Sequence, residues 1–290
     1  MELQWSLILF TSLIAWSAGL FATQCALSLK GEATKAQMPA WIASAILLVV
    51  GGIAVFTHLQ HWERIFNGFG HLTSGITQEL ICIVILAIVA VIYFVYMRKN
   101  EGQVPAWIAI VGIIAALALV IVMGMSYMMS ARPAWNNIVE IISLIGNALI
   151  MGPVTMLVIN EFVSADEKAP VANIVAIVGA IVNAVGTIGF ICTMSGVGKS
   201  ITNLGYSFDL TTPTSPMVDP SIVGVFSSDS CSFTVCAIAS VLVALACCVV
   251  AKLKGGWKIW GLVAIVAGLV GAICLRALFY QMGYSLFILT

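Results

Sequence analysis

Apolar residues run through this chain in long blocks, and polar residues are confined to the stretches between them. A bilayer core takes roughly 20 apolar residues of helix, and eight blocks qualify. They are approximately Trp5–Leu29, Pro39–Leu59, Ile76–Tyr96, Pro105–Met128, Val139–Phe162, Pro170–Met194, Cys231–Leu253 and Trp257–Leu289. Backbone exposed to lipid must satisfy its own hydrogen bonds, so the blocks are read as helices. The expected fold is an all-α integral membrane protein with eight transmembrane helices, a single polytopic domain over residues 1–290.

Composition agrees with this reading. The chain is 61% hydrophobic and 8% charged, with a mean hydropathy of +1.11. Soluble domains of this length are not built that way. A net charge of zero removes the case for nucleic-acid binding. Met1-Glu2-Leu3-Gln4 lacks the basic segment of a cleavable signal, so the first block is expected to be a retained helix. Membrane transporters and electron-transfer anchors both remain open at this point.

The basic residues choose an orientation. Lys30, Lys35, Arg98, Lys99, Lys168, Lys252, Lys254 and Lys258 fall in odd-numbered connections or at their edges. Even connections hold Arg64, Arg132 and Lys199, and Arg276 lies inside the last block. Positive residues favour the cytoplasmic side, which makes both termini extracytoplasmic. Two blocks begin alike, at Gln37-Met-Pro39-Ala-Trp41 and Gln103-Val-Pro105-Ala-Trp107. Proline in the first turn and tryptophan at the interface make this a reused way to start a helix. The sixth connection, about 199–230, is the one long polar segment, expected outside as a docking surface or a loose linker. Cys192, Cys231 and Cys236 lie around it, which leaves a disulfide there open. None of the eight cysteines forms a C-x-x-C pair, so no zinc or iron–sulfur site is expected in this chain.

Ionisable groups are scarce, and near lipid they usually mark a site. The densest group is His58-Leu-Gln-His61-Trp-Glu63-Arg64-Ile-Phe66-Asn67, closed by Glu79 at the head of the third block. His58, at the outer interface, can accept a proton from a hydroxyl and pass it on, or can simply snorkel to water. Glu79 has lost some of its water and is placed to hold or relay a proton, or to pair with Arg64. Arg64 can orient Glu79 or bind a carbonyl such as a quinone's. Asn67 can cap a turn or donate to a ligand oxygen. His61, Glu63 and His71 are weaker candidates. Arg276 and Tyr280 lie one turn apart in the last block. They either line the same pocket, or Arg276 makes a structural ion pair with Glu140 or Glu161. Three histidines within one interfacial stretch cannot readily clasp a haem from opposite sides, so none is expected. The methionines of Met123-Gly-Met125-Ser-Tyr-Met128-Met129 suit an adaptable packing surface.

His58-Leu59, Arg64, Phe66-Asn67 and Glu79, followed at the far end by Arg276-Ala-Leu-Phe279-Tyr280, resemble the membrane anchor subunit of dimethyl sulfoxide reductase and related quinol-oxidising anchors of molybdopterin oxidoreductases. Eight spans with both termini outside fit the same family. The resemblance implies a multi-pass protein of the bacterial cytoplasmic membrane, serving anaerobic respiration. It implies a molybdopterin catalytic subunit and an iron–sulfur electron-transfer subunit as partners. It implies that the anchor oxidises menaquinol to menaquinone and holds no haem, iron–sulfur cluster or other redox metal itself. The resemblance makes His58 and Glu79 the expected catalytic pair, and the reading of the residues themselves adds Arg64, Asn67, Arg276 and Tyr280 as quinol-binding candidates. Gln60, His61 and Trp62 stand where that family often has Gly and Pro after His-Leu, which alters the pocket mouth. The rival reading is a secondary transporter of a small solute, against which the charged cluster sits at one face and not at the midplane.

Overall fold

The computed structural model describes residues 3–58, 61, 67–164, 166–197 and 224–284. Among them are eight helices long and apolar enough to cross a membrane, and no strand. They are α1 (Trp5–Ser28), α2 (Gln37–Phe56), α3 (Gly75–Lys99), α4 (Ala106–Ser126), α5 (Ile138–Val163), α6 (Pro170–Met194), α7 (Cys231–Lys254) and α8 (Trp257–Gln281). An even number of crossings returns the chain to the face where it began. Arg64 and most of the sixth connection fall outside the described residues. The thiols of Cys192, Cys231 and Cys236 are free.

The bundle is built around α1 and α5, which are buried along most of their length. By contrast only four of the 20 residues of α2 are buried. Lipid tails are as apolar as leucine, so helix association here relies on close packing and hydrogen bonds. Small residues supply the packing. A Cβ on Gly19 would overlap the backbone of Ala148, and one on Gly152 would overlap the backbone of Gly19, so α1 and α5 nearly touch. Gly146, Gly179 and Gly186 bring α5 and α6 together in the same way.

One of these approaches falls at a break in the backbone bonding of α5. Pro153 lies inside α5 and has no N–H for the Leu149 carbonyl one turn earlier. Gly179 of α6 packs directly on that carbonyl, where any side chain would collide with it.

Polar side chains tie the thinner elements on. Ser17 donates to the Ser44 carbonyl at 2.8 Å, joining α1 to α2. Gln24 donates to the Gln37 carbonyl at 2.6 Å, and Tyr93 of α3 donates to Gln37 Oε1 at 2.9 Å. Trp41 of α2 donates to the Ala90 carbonyl at 2.9 Å. The ties between α2 and α3 therefore lie near the start of α2 and the end of α3. Over their whole length α2 and α3 make few direct contacts.

Candidate functional site

A cavity of about 400 Å³ opens at the end of the bundle where α1, α3 and α5 begin and α2, α4 and α8 finish. Its walls are mostly apolar, formed by Leu7 and Phe10 of α1, Val55 of α2, and Ile76, Leu80 and Ile83 of α3. Polar groups converge on it from several elements: Gln4, His58, Glu79, Ser126, Tyr127, Arg132 and Tyr280.

His58 follows directly on the last turn of α2, its amide bonded to the Val55 carbonyl at 3.0 Å. Glu79 sits in the second turn of α3 and is only 6% exposed. Its Oε1 meets the Ser126 hydroxyl, which also lies 2.9 Å from the Met123 carbonyl. A hydroxyl has one proton and two lone pairs. Ser126 can therefore donate to an ionised Glu79, or donate to Met123 while accepting from a protonated one. That hydroxyl can serve both protonation states without leaving either unsatisfied.

Arg276 takes the structural option. It is 5% exposed, and its Nη1 donates to Oε1 of the fully buried Glu140 at 2.6 Å. The pair is end-on, and Glu140 Oε2 and Arg276 Nη2 have no hydrogen-bond partner among the described residues. Arg276 is absent from the cavity wall, with its guanidinium 5.7 Å from the ring of Tyr127, which does line it. It remains within electrostatic range of Glu79. Asn67 is exposed and does not line the cavity, and Arg64 lies outside the described residues. Of the six residues singled out from sequence, His58, Glu79 and Tyr280 share this cavity.

Sequence reasoning passed over the contribution of the α4–α5 connection. Arg132 and Trp135, both in it, line the cavity. The Arg132 guanidinium lies 4.4 Å from the Trp135 ring centroid and donates to the Gly283 carbonyl. Trp135 stacks on Phe279 at 4.6 Å and donates to the Phe279 carbonyl at 2.8 Å. This stack fixes the connection to the end of α8 and so shapes the wall beside Tyr280. The available signal was an arginine followed three residues later by a tryptophan in a short connection.

Among the described residues, no group of three or more His, Cys, Asp or Glu side chains is placed to hold a metal ion. What the cavity offers is a hydroxyl-binding and proton-handling surface inside an apolar enclosure. No curated protein matches the chain. The model of the family described as DMSO reductase anchor subunit (DmsC) matches residues 1–282, nearly the full length, and the chain belongs to that family.

Proposed function

We propose that this protein anchors a molybdopterin oxidoreductase complex in the membrane, and that the end cavity binds menaquinol and oxidises it. The observation that carries this reading is the meeting of His58, Glu79 and Tyr280 in one apolar-walled cavity of a protein from this family. The three come from separate parts of the chain, and nothing in helix packing alone requires them to converge. A volume of about 400 Å³ lies within the usual range for small-molecule sites.

Few contacts join α2 and α3, and the cavity lies between the end of one and the start of the other, which gives a lipid-soluble substrate a lateral way in. Quinol oxidation supplies electrons and protons together, and the protein must accept the protons. His58 accepts a hydrogen bond from one quinol hydroxyl and takes its proton. Glu79 handles the second, with Ser126 turning its hydroxyl to suit whichever state Glu79 is in. Tyr280 and Arg132 hold the ring from the α8 side. Arg64 and Asn67, between α2 and α3 in the sequence, complete the proposed set of binding residues. Arg276 acts at one remove, through its field at Glu79. Electrons pass to the iron–sulfur subunit and on to the molybdopterin subunit. The positive-inside bias puts the cavity end outside the cytoplasm, so the iron–sulfur subunit docks there and protons leave on that side.

The test is menaquinol oxidation by the purified complex carrying His58→Ala or Glu79→Gln, with molybdenum and iron content measured to show that assembly is intact. The expected result is a rate loss of about 10²- to 10⁴-fold with normal metal content. A wild-type rate in His58→Ala removes His58 from the scheme, and wild-type rates in both variants overturn the assignment of the cavity.

A further inference from the structure

A second recess, of about 660 Å³, lies at the opposite end of the bundle, where α5 and α7 finish and α6 and α8 begin. Nothing in the quinol reading uses it. Its charged groups are unevenly committed. Glu161 accepts the Lys258 backbone N–H at 2.7 Å, and so caps the start of α8. Glu167 pairs with Lys35 at 3.8 Å and accepts from Thr34 at 3.4 Å. Lys168 and Lys252 also line the recess, and neither has a carboxylate partner among the described residues. With Glu167 set against Lys35 and Glu161 against the start of α8, the ammonium groups of Lys168 and Lys252 are left to take an anion from outside the chain.

A third group independently suggests a ligand. Asn160 forms part of the wall and is 6% exposed. Its amide nitrogen donates to the Glu167 carbonyl at 2.6 Å, but its Oδ1 has no partner among the described residues. A buried acceptor left unpaired costs roughly 1–3 kcal/mol, and a ligand hydroxyl would remove that cost. Trp257 and Ile174 add apolar wall beside the polar groups. Trp257 is held in place by donating to Asn173 at 3.0 Å.

The geometry points to a binding site for an anionic glycerophospholipid headgroup of the phosphatidylglycerol type. The phosphate sits between Lys168 and Lys252, the headgroup glycerol donates a hydroxyl to Asn160 Oδ1, and the acyl chains lie along the apolar wall. The surroundings favour a lipid. Lys30, Lys35, Arg98, Lys99, Lys254 and Lys258 fall at the same end, and basic pockets between helix ends are suited to anionic headgroups.

The test is native mass spectrometry of the full complex from nanodiscs of phosphatidylcholine with and without phosphatidylglycerol, comparing wild type with Lys168→Ala, Lys252→Ala and the double variant. Both lysines are exposed, so the variants are expected to fold. The expected result is one retained phosphatidylglycerol per anchor, with affinity falling roughly fivefold for each lysine removed. Asn160→Ala supplies a second readout: affinity for phosphatidylglycerol falls, while affinity for phosphatidic acid, which lacks the glycerol, does not. Equal retention by wild type and the double variant overturns the proposal, as does equal retention of phosphatidylcholine. Displacement of the lipid by millimolar inorganic phosphate would reassign the recess to a free anion.

Discussion

The two ends of this bundle treat charge in opposite ways. At the end where the chain starts, two carboxylates and a guanidinium are buried almost completely: Glu79, Glu140 and Arg276. At the other end, Lys35, Lys168 and Lys252 stay exposed and the acids sit at helix ends or pair loosely. Taking charge out of water costs several kcal/mol per ion unless geometry repays it. A protein whose only task was to sit in a bilayer would carry its charge as the second end does. The first end is where the bundle bears a cost that packing does not explain, and that is where the cavity lies.

The comparison can be broken most severely at Arg276. Arg276→Leu leaves Glu140 buried without its partner and is expected to destabilise the protein by about 3–5 kcal/mol. Thermal unfolding of the complex, or its yield in membranes, checks this. Arg276→Leu combined with Glu140→Leu should recover most of the loss, because a leucine pair leaves no unmatched charge. If the single variant is as stable as wild type, the pair is not an essential feature of that end.

Next in size is Ser126→Ala. It removes the hydroxyl shared between Glu79 and the Met123 carbonyl while leaving the cavity shape nearly intact. The lost hydrogen bond to a charged group is worth about 1.5–3 kcal/mol, so menaquinol oxidation is expected to fall about 10- to 100-fold with normal assembly. A smaller effect is expected for Trp135→Phe, which keeps an aromatic ring on Phe279 but loses the hydrogen bond to its carbonyl. About 1 kcal/mol of stability should go, visible as a lower unfolding temperature. The smallest change belongs to the other end. Lys35→Ala breaks an exposed pair with Glu167 and should alter stability by less than about 1 kcal/mol. A large loss there would mean that the exposed end depends on its charges as much as the buried one does.

Much of this architecture was legible in the sequence because a hydrocarbon core leaves few choices. The apolar blocks placed α1, α6 and α7 within a residue or so of their ends, and the shared Gln-x-Pro-Ala-Trp segments marked where α2 and α4 start. α2 begins two residues before Pro39, whereas Pro105 immediately precedes α4. Counting crossings put His58, Glu79 and Tyr280 at the same end of the bundle, but their sharing of one cavity emerges only from how the helices pack there. The partner of Arg276 was also within reach. Glu140 is three residues into α5 and Glu161 is near its far end, so only Glu140 shares a depth with an arginine near the end of α8. The place of Arg132 and Trp135 was not legible. Neither belongs to an apolar block, and the path of a short connection is decided by what it can stack on, here a ring on α8.

The proline in α5 has a consequence for the helix beside it. The Leu149 carbonyl that Pro153 leaves without a donor would cost several kcal/mol if it faced hydrocarbon. Gly179, the residue that covers it, belongs to the next helix in the chain, across a short connection. α6 therefore shields from lipid the one carbonyl of α5 that its proline leaves short, offering Cα hydrogens where a donor is missing.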